Sequence, residues 1–186
     1  MRLSIRAASY VGRVREKNED MVLVSHTCVR EDTFADTVEL SGRDRCLTAL
    51  ADGMGGHLGG EVASSDVLHN LDYFFGDMPR GLSASDYNEA IVEWLNSINH
   101  MIDSKGHSEP CYHNMGTTLV ALAYYNSRFY WMNCGDSRKY RLHDGRLRQL
   151  YTDHSLTNLV GGSNEHTNYI TNCIGGGCKT SYIDMV

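Results

Sequence analysis

The chain has 186 residues, 41% apolar and 22% charged, with 17 Lys and Arg against 23 Asp and Glu. That length suits one globular domain with a real core, and the net charge of −6 argues against nucleic acid as the main partner. No apolar run is long enough to span a membrane and Met1 to Arg6 lacks the apolar stretch of a signal peptide, so a cytoplasmic protein free of membrane partners is expected.

From the amino end, Leu3, Ile5 and Ala7 alternate with Ser4 and Arg6, as in a half-buried strand. Residues 11–20 are polar and carry Arg15-Glu16-Lys17-Asn18-Glu19-Asp20. Met21 to Cys28 reads as a second strand, residues 30–45 as a polar hairpin or loop, and Cys46 to Ala51 as the next strand. That strand runs straight into Asp52, and five glycines follow in the eight positions from Gly53 to Gly60. Glycine at this density costs backbone entropy and is tolerated where the chain must turn or approach something closely. A carboxylate at a strand end with a free carbonyl beside it suits a hard divalent cation; a strand-to-helix turn with an Asp cap is the competing reading.

Ala63, Val67, Leu71 and Phe75 then recur at helical spacing from Glu61 onward, and residues 76–81 break the pattern. A second amphipathic helix is predicted over about 85–105, with Tyr87, Ile91, Trp94, Leu95, Ile98 and Ile102 on its apolar face and Gly106 at its end. Four strands in close order are predicted next: 117–125, turned by Asn126-Ser127; 128–134; 138–143, turned by Asp144-Gly145, a strong hairpin signal; and 146–151. Strands, two helices and a meander make an α+β chain with an antiparallel sheet system and helices outside it.

Cys28, Cys46, Cys111, Cys134, Cys173 and Cys178 form no CxxC pair and fit reduced, mostly buried thiols. Zinc held by Cys111, His113, Cys173 and Cys178 matches no ligand spacing and is not expected. The acids are more informative. Glu19 and Asp20 precede a strand, Asp52 follows one, Asp136 interrupts two, and Asp153 follows the last. Gathered at one edge these would repel one another, and a shared cation would remove that cost.

On these blocks the chain resembles the metal-dependent, type 2C serine/threonine protein phosphatases, in their bacterial branch. They are Arg15 to Asp20, Ala51-Asp52-Gly53-Met54-Gly55-Gly56-His57, Met115-Gly116-Thr117-Thr118, Asn133-Cys134-Gly135-Asp136-Ser137-Arg138 through Tyr140 to Asp153-His154-Ser155-Leu156, and more weakly Asn168 to Gly175. The resemblance implies an antiparallel β-sandwich with helices on both outer faces, and manganese or magnesium at one end, as two ions with a third, weaker site. It implies that Asp52 bridges ions, that the Gly53 carbonyl ligates one, that Glu19 and Asp20 hold ion-bound water, that Asp136 belongs to the third site, and that Arg15 binds the substrate phosphate. Phosphorylated proteins would be the substrates and a serine/threonine kinase the opposing enzyme. Thr117 and Thr118 are expected to be structural strand residues, His57 a loop residue rather than the proton donor, and His154 a hydrogen-bonded turn histidine.

The pattern departs from the family in two places. Residues 157–167, where relatives carry a flap, are short and polar, and Asn172 stands where relatives usually have Arg. The Ser-Asp-Gly and Asp-Asn blocks that complete the family's metal shell do not follow Gly175. Residues 1–186 are therefore expected to form a single phosphatase-like domain, truncated or reduced at its C-terminal end, with weak metal binding and slow turnover. A non-catalytic module on the same fold, recognising a phosphoprotein or regulating another domain, is the alternative; a plain scaffold is disfavoured by the Arg15, Glu19, Asp20 and Asp52 set.

Overall fold

The computed structural model describes residues 1–42, 44–55, 59–159, 169–178 and 180–185. Its strands are β1 (Arg2–Ser9), β2 (Met21–Val24), β3 (Thr27–Val29), β4 (Asp32–Glu39), β5 (Cys46–Ala51), β6 (Gly53–Met54), β7 (Gly116–Thr117), β8 (Leu119–Tyr125), β9 (Arg128–Cys134), β10 (Tyr140–His143), β11 (Arg146–Gln149), β12 (Ile174–Gly175) and β13 (Asp184–Met185). The helices are α1 (Gly59–Asp77), α2 (Ala84–Ser108) and the four-residue α3 (Leu156–Leu159).

Every strand pairing is antiparallel. The largest sheet has the order β13-β9-β8-β5-β2-β3; β1 pairs with β4, β10 with β11, and β12-β7-β6 form a short third ribbon. Side chains alternate across a strand, and one face of the large sheet supplies Leu23, Leu47, Ala49, Ala51, Leu119, Ala121, Ala123, Met132 and Cys134 to the main core. Both long helices close that face: α1 through Ala63, Val67, Leu71 and Phe75, and α2 through Ile91, Leu95, Ile98 and Ile102. The other face meets the β1–β4 ribbon, whose Leu3, Ile5 and Val38 pack on Leu40, Cys46 and Tyr124. Among the described residues, no helix longer than four residues lies outside the α1–α2 layer.

The predicted hairpins form, with Asn126, Ser127, Asp144 and Gly145 all at positive φ. Two expectations change. The strand predicted over Met21 to Cys28 folds back on itself, because Ser25 and His26 take φ of 45° and 75° and make a two-residue turn. The polar stretch 30–45 contains β4, which pairs with β1 along its whole length. α2 begins on a capping box, with the Ser83 side chain accepting from the Asp86 backbone and Asp86 reaching back. It runs three residues past its predicted end. Gly106 is needed there for contact rather than termination, since a Cβ would lie 3.0 Å from the Tyr112 carbonyl oxygen.

Cys46, Cys134 and Cys173 are buried, while Cys28 and Cys178 are half-buried and Cys111 is exposed. All six are free thiols.

Candidate functional site

Asp52 lies just past the end of β5, where the buried strand gives out. Its backbone is held from the neighbouring chain: the Asp52 N–H donates to Thr118 Oγ1 (3.1 Å), and its carbonyl accepts from the Thr117 hydroxyl (2.9 Å) and the Thr118 N–H (3.0 Å). Thr118 Oγ1 also meets Ser137 Oγ at 2.7 Å, which ties the Asp136-Ser137 loop to the same point. The two threonines are therefore structural, as expected, and their structure is the seat of Asp52.

Glu19 and Asp20 arrive from the opposite side on a loop fixed at both ends. Buried Asn18 donates to Ser9 Oγ (2.8 Å) and accepts the Asp20 N–H (3.0 Å). Arg30 donates to the Asp20 carbonyl (2.9 Å), the Glu61 carbonyl (3.0 Å) and Ser64 Oγ (2.7 Å), and Ser64 Oγ donates to the Glu19 carbonyl. The first turns of α1 thus grip the backbone of both acids. The close approach explains two of the glycines. A Cβ on Gly53 would lie 2.1 Å from the Gly60 carbonyl oxygen, and one on Gly60 would lie 2.7 Å from Glu19 Oε1.

The result is a cluster of like charges. Asp52 feels the charges of Asp20, Asp136 and Glu19, that of Asp20 most strongly. Burial first, and these neighbours second, push its carboxyl up to about 6. By surface area Asp52 is nonetheless an exposed residue. The residue is open to solvent on one side while its carboxylate is close enough to the other acids to feel their charge. Among the described residues, no three His, Cys, Asp or Glu side chains stand close enough to cage an ion by themselves. That leaves a partly open acidic site that suits magnesium- or manganese-type cations, which commonly take one or two carboxylates and keep several waters.

The remaining expected residues divide. Asp136 joins the cluster through its charge on Asp52. Asp153 does not: its carboxylate is taken by Arg138 at 2.7 Å and by Gln149 at 2.6 Å. Arg15 is exposed on the 10–20 loop and, among the described residues, makes no ion pair or hydrogen bond with any of the acids. His57 and residues 160–168, most of the shortened flap, lie outside the described residues.

His154 is buried and hydrogen-bonded, as expected of a turn histidine. Its Nδ1 accepts the Gly135 N–H (3.0 Å) and faces Asn172 Nδ2 (2.9 Å), and its own N–H donates to the Gly135 carbonyl (3.0 Å). It thereby fixes the loop that carries Asp136. Sequence reading missed Arg30, because a lone arginine in a polar stretch has no pattern. Asn18 could have been found, since Asn followed two residues later by a backbone donor is a local turn signal.

A family model described as "Protein phosphatase 2C" matches residues 25–175. The chain is 40% identical over 114 residues to the serine/threonine protein phosphatase PstP of Mycobacterium tuberculosis, covering 61% of this chain and 21% of PstP; it thus spans about a fifth of that relative's length. Its fold matches the S. agalactiae serine/threonine phosphatase with a TM-score of 0.79 at 25% identity, covering 99% of this chain and 74% of that one. It also matches the catalytic domain of PstP in complex with two manganese ions, with a TM-score of 0.68 at 30% identity, covering 100% and 73%.

Proposed function

Because this chain belongs to the protein phosphatase 2C family, we propose that its acid cluster is the metal site of a phosphoprotein phosphatase that hydrolyses phosphoserine and phosphothreonine. The observation that carries the proposal is that Asp52, at the end of β5, feels the charges of Asp20, Asp136 and Glu19 together, which with burial push its carboxyl up to about 6. Holding an acid in the field of three others has a cost, and a bound dication offsets it.

In this reading residues 1–186 act as one catalytic domain, Asp52 and the Gly53 carbonyl would hold the cation, Glu19 and Asp20 would hold water bound to it, and Asp136 would belong to the third site. The cation is manganese or magnesium, as two ions with a weaker third beside Asp136. When bound, it supplies the Lewis acidity that makes water a competent nucleophile near neutral pH. Arg15, with its guanidinium unengaged among the described residues, binds the substrate phosphate by its planar fork and offsets charge on the transferring group. Thr117 and Thr118 keep Asp52 in place, and no cysteine takes part. The physiological setting is cytoplasmic signalling opposite a serine/threonine kinase.

The test is manganese titration by calorimetry alongside release of phosphate from a phosphothreonine peptide, on the chain and on Asp52→Asn and Arg15→Ala. Asp52→Asn is expected to abolish manganese binding and lower hydrolysis by at least about 10²-fold, and Arg15→Ala to weaken substrate more than metal. Hydrolysis that survives intact in Asp52→Asn, or in excess chelator, overturns the proposal.

A further inference from the structure

Cys173 and Cys178 stand apart from the acid cluster and have no part in the reading above. Their sulfurs are 2.9 Å apart, with both thiols free. A disulfide bond is about 2.05 Å long, so less than about 1 Å of closing motion is needed. We propose that Cys173 and Cys178 form a reversible dithiol–disulfide pair, oxidised by low-molecular-weight disulfides.

The surrounding backbone holds the two thiols face to face, and the Cys173 thiol itself lies 3.3 Å from the Gly175 carbonyl oxygen. Asn172 clasps Tyr182 on both sides, donating to its carbonyl (2.8 Å) and accepting its N–H (3.1 Å). Ser181 Oγ donates to the Cys173 carbonyl and lies 2.9 Å from Asn99 Oδ1, which accepts the Gly175 N–H (2.7 Å). Between the cysteines, Gly175, Gly176 and Gly177 all have positive φ, of 71°, 64° and 77°, and the Cys178 N–H closes on the Gly175 carbonyl (3.1 Å). Only glycine takes three such conformations in a row without strain. The tight turn brings position 178 back onto position 173. A pair held in this way reacts as an intramolecular couple at high effective concentration.

The chemistry is assigned by exposure. Cys178 is half-buried and reachable, while Cys173 is 3% exposed. The Cys178 thiolate attacks one sulfur of the small disulfide, forming a mixed disulfide and releasing one thiolate. Cys173, on losing its proton, attacks Cys178 Sγ and expels the second thiolate. Two protein thiols lose two protons and two electrons, and one small disulfide becomes two small thiols. Burial raises the Cys173 thiol, which slows the second step at neutral pH without changing its end point. Closure fastens the turn that follows β12; β12 pairs with β7, and β7 with β6, the strand directly after Asp52.

The experiment equilibrates the full chain in glutathione–glutathione disulfide buffers, quenches with acid, blocks free thiols with N-ethylmaleimide and maps the peptides by mass. A peptide spanning 173–178 that has lost two hydrogens and takes no maleimide is expected, restored by dithiothreitol and absent in Cys178→Ser. The closed form is expected to melt several degrees higher than the reduced form, with no such shift in Cys178→Ser. Cys178→Ser is used because that side is not fully buried. If exposed Cys111 becomes glutathionylated while Cys173 and Cys178 both remain alkylatable, the proposal is overturned, as it is by a link from either to Cys134. None of these readouts uses phosphatase activity, so they stand or fall independently of it.

Discussion

The imidazole Nε2 of His154 lies 3.0 Å from Oδ2 of Asp184, and its other ring nitrogen has already accepted a backbone N–H. A backbone amide can only donate, so Nδ1 is unprotonated and Nε2 carries the hydrogen toward Asp184. The ring is thus oriented from both ends. Replacing it strands the Gly135 N–H and one of the two Asn172 amide hydrogens in a buried setting. His154→Ala is expected to lower stability by roughly 1–3 kcal/mol, read as a lower urea midpoint, and to weaken manganese binding through the loosened Asp136 loop. A variant with wild-type midpoint and wild-type affinity would show that the ring is dispensable.

Manganese binding should depend on pH through Asp52. Its carboxyl is raised from 3.8 to about 6 in the metal-free protein, first by burial and then by Asp20. The folded state therefore keeps a proton that the unfolded chain loses above about 4. That contribution to stability is present below the unfolded value and is lost as pH rises through about 6. The cation needs the ionised form, so affinity moves the opposite way. Apparent affinity at pH 5 is expected to be about tenfold below its plateau, with proton release on binding. Calorimetry in two buffers of different ionisation enthalpy checks both, and an affinity flat from pH 5 to pH 7.5 would remove Asp52 from the ligand set.

Glycines inside one short region should differ sharply in their tolerance. A Cβ at position 53 meets backbone atoms at 2.1 Å and 2.7 Å, so Gly53→Ala must push α1 away from the acid loop. A cost above about 3 kcal/mol is expected. Gly76, near the end of the same helix, has nothing within 4 Å, and Gly76→Ala should gain roughly 0.5–1 kcal/mol. Equal melting temperatures for the two variants would contradict the packing described.

Tyr87 is fully buried between Tyr125 and Tyr130, with its hydroxyl unpartnered among the described residues. Its ring contributes packing while its oxygen costs desolvation. Tyr87→Phe is expected to be neutral or to stabilise by up to about 1 kcal/mol, raising the melting temperature by roughly 2–4 °C. A fall in melting temperature would mean that the hydroxyl has a partner after all.

What the sequence makes legible follows from local chemistry. The helical periodicity of Ala63, Val67, Leu71 and Phe75 survives because one helix face meets one core. Asn126-Ser127 and Asp144-Gly145 announce their turns because Asn, Asp and Gly accept positive φ cheaply. Ser25-His26 does not announce its turn, since the surrounding strand pairing imposes those angles on residues that do not favour them. β4 is hidden for a similar reason: its outward side chains are polar, and only pairing with β1 reveals it. At the site, the acids stand out by type and position, whereas Arg30 works by reaching across to carbonyls that no linear pattern places nearby.

The grip of Thr117 and Thr118 on Asp52 also sets an order of events during synthesis. Asp52 leaves the ribosome well before the strand that seats it, and Asp136 later still, so the early chain carries its acids without their frame. Pairing of β5 with β8 must come first, and so distant a pairing forms slowly, whereas β8 and β9 close locally as a hairpin. A nascent chain paused between β5 and β8 therefore carries Asp52 without its seat, and a ligand that recognises only the folded form can steady the product of folding without guiding its beginning.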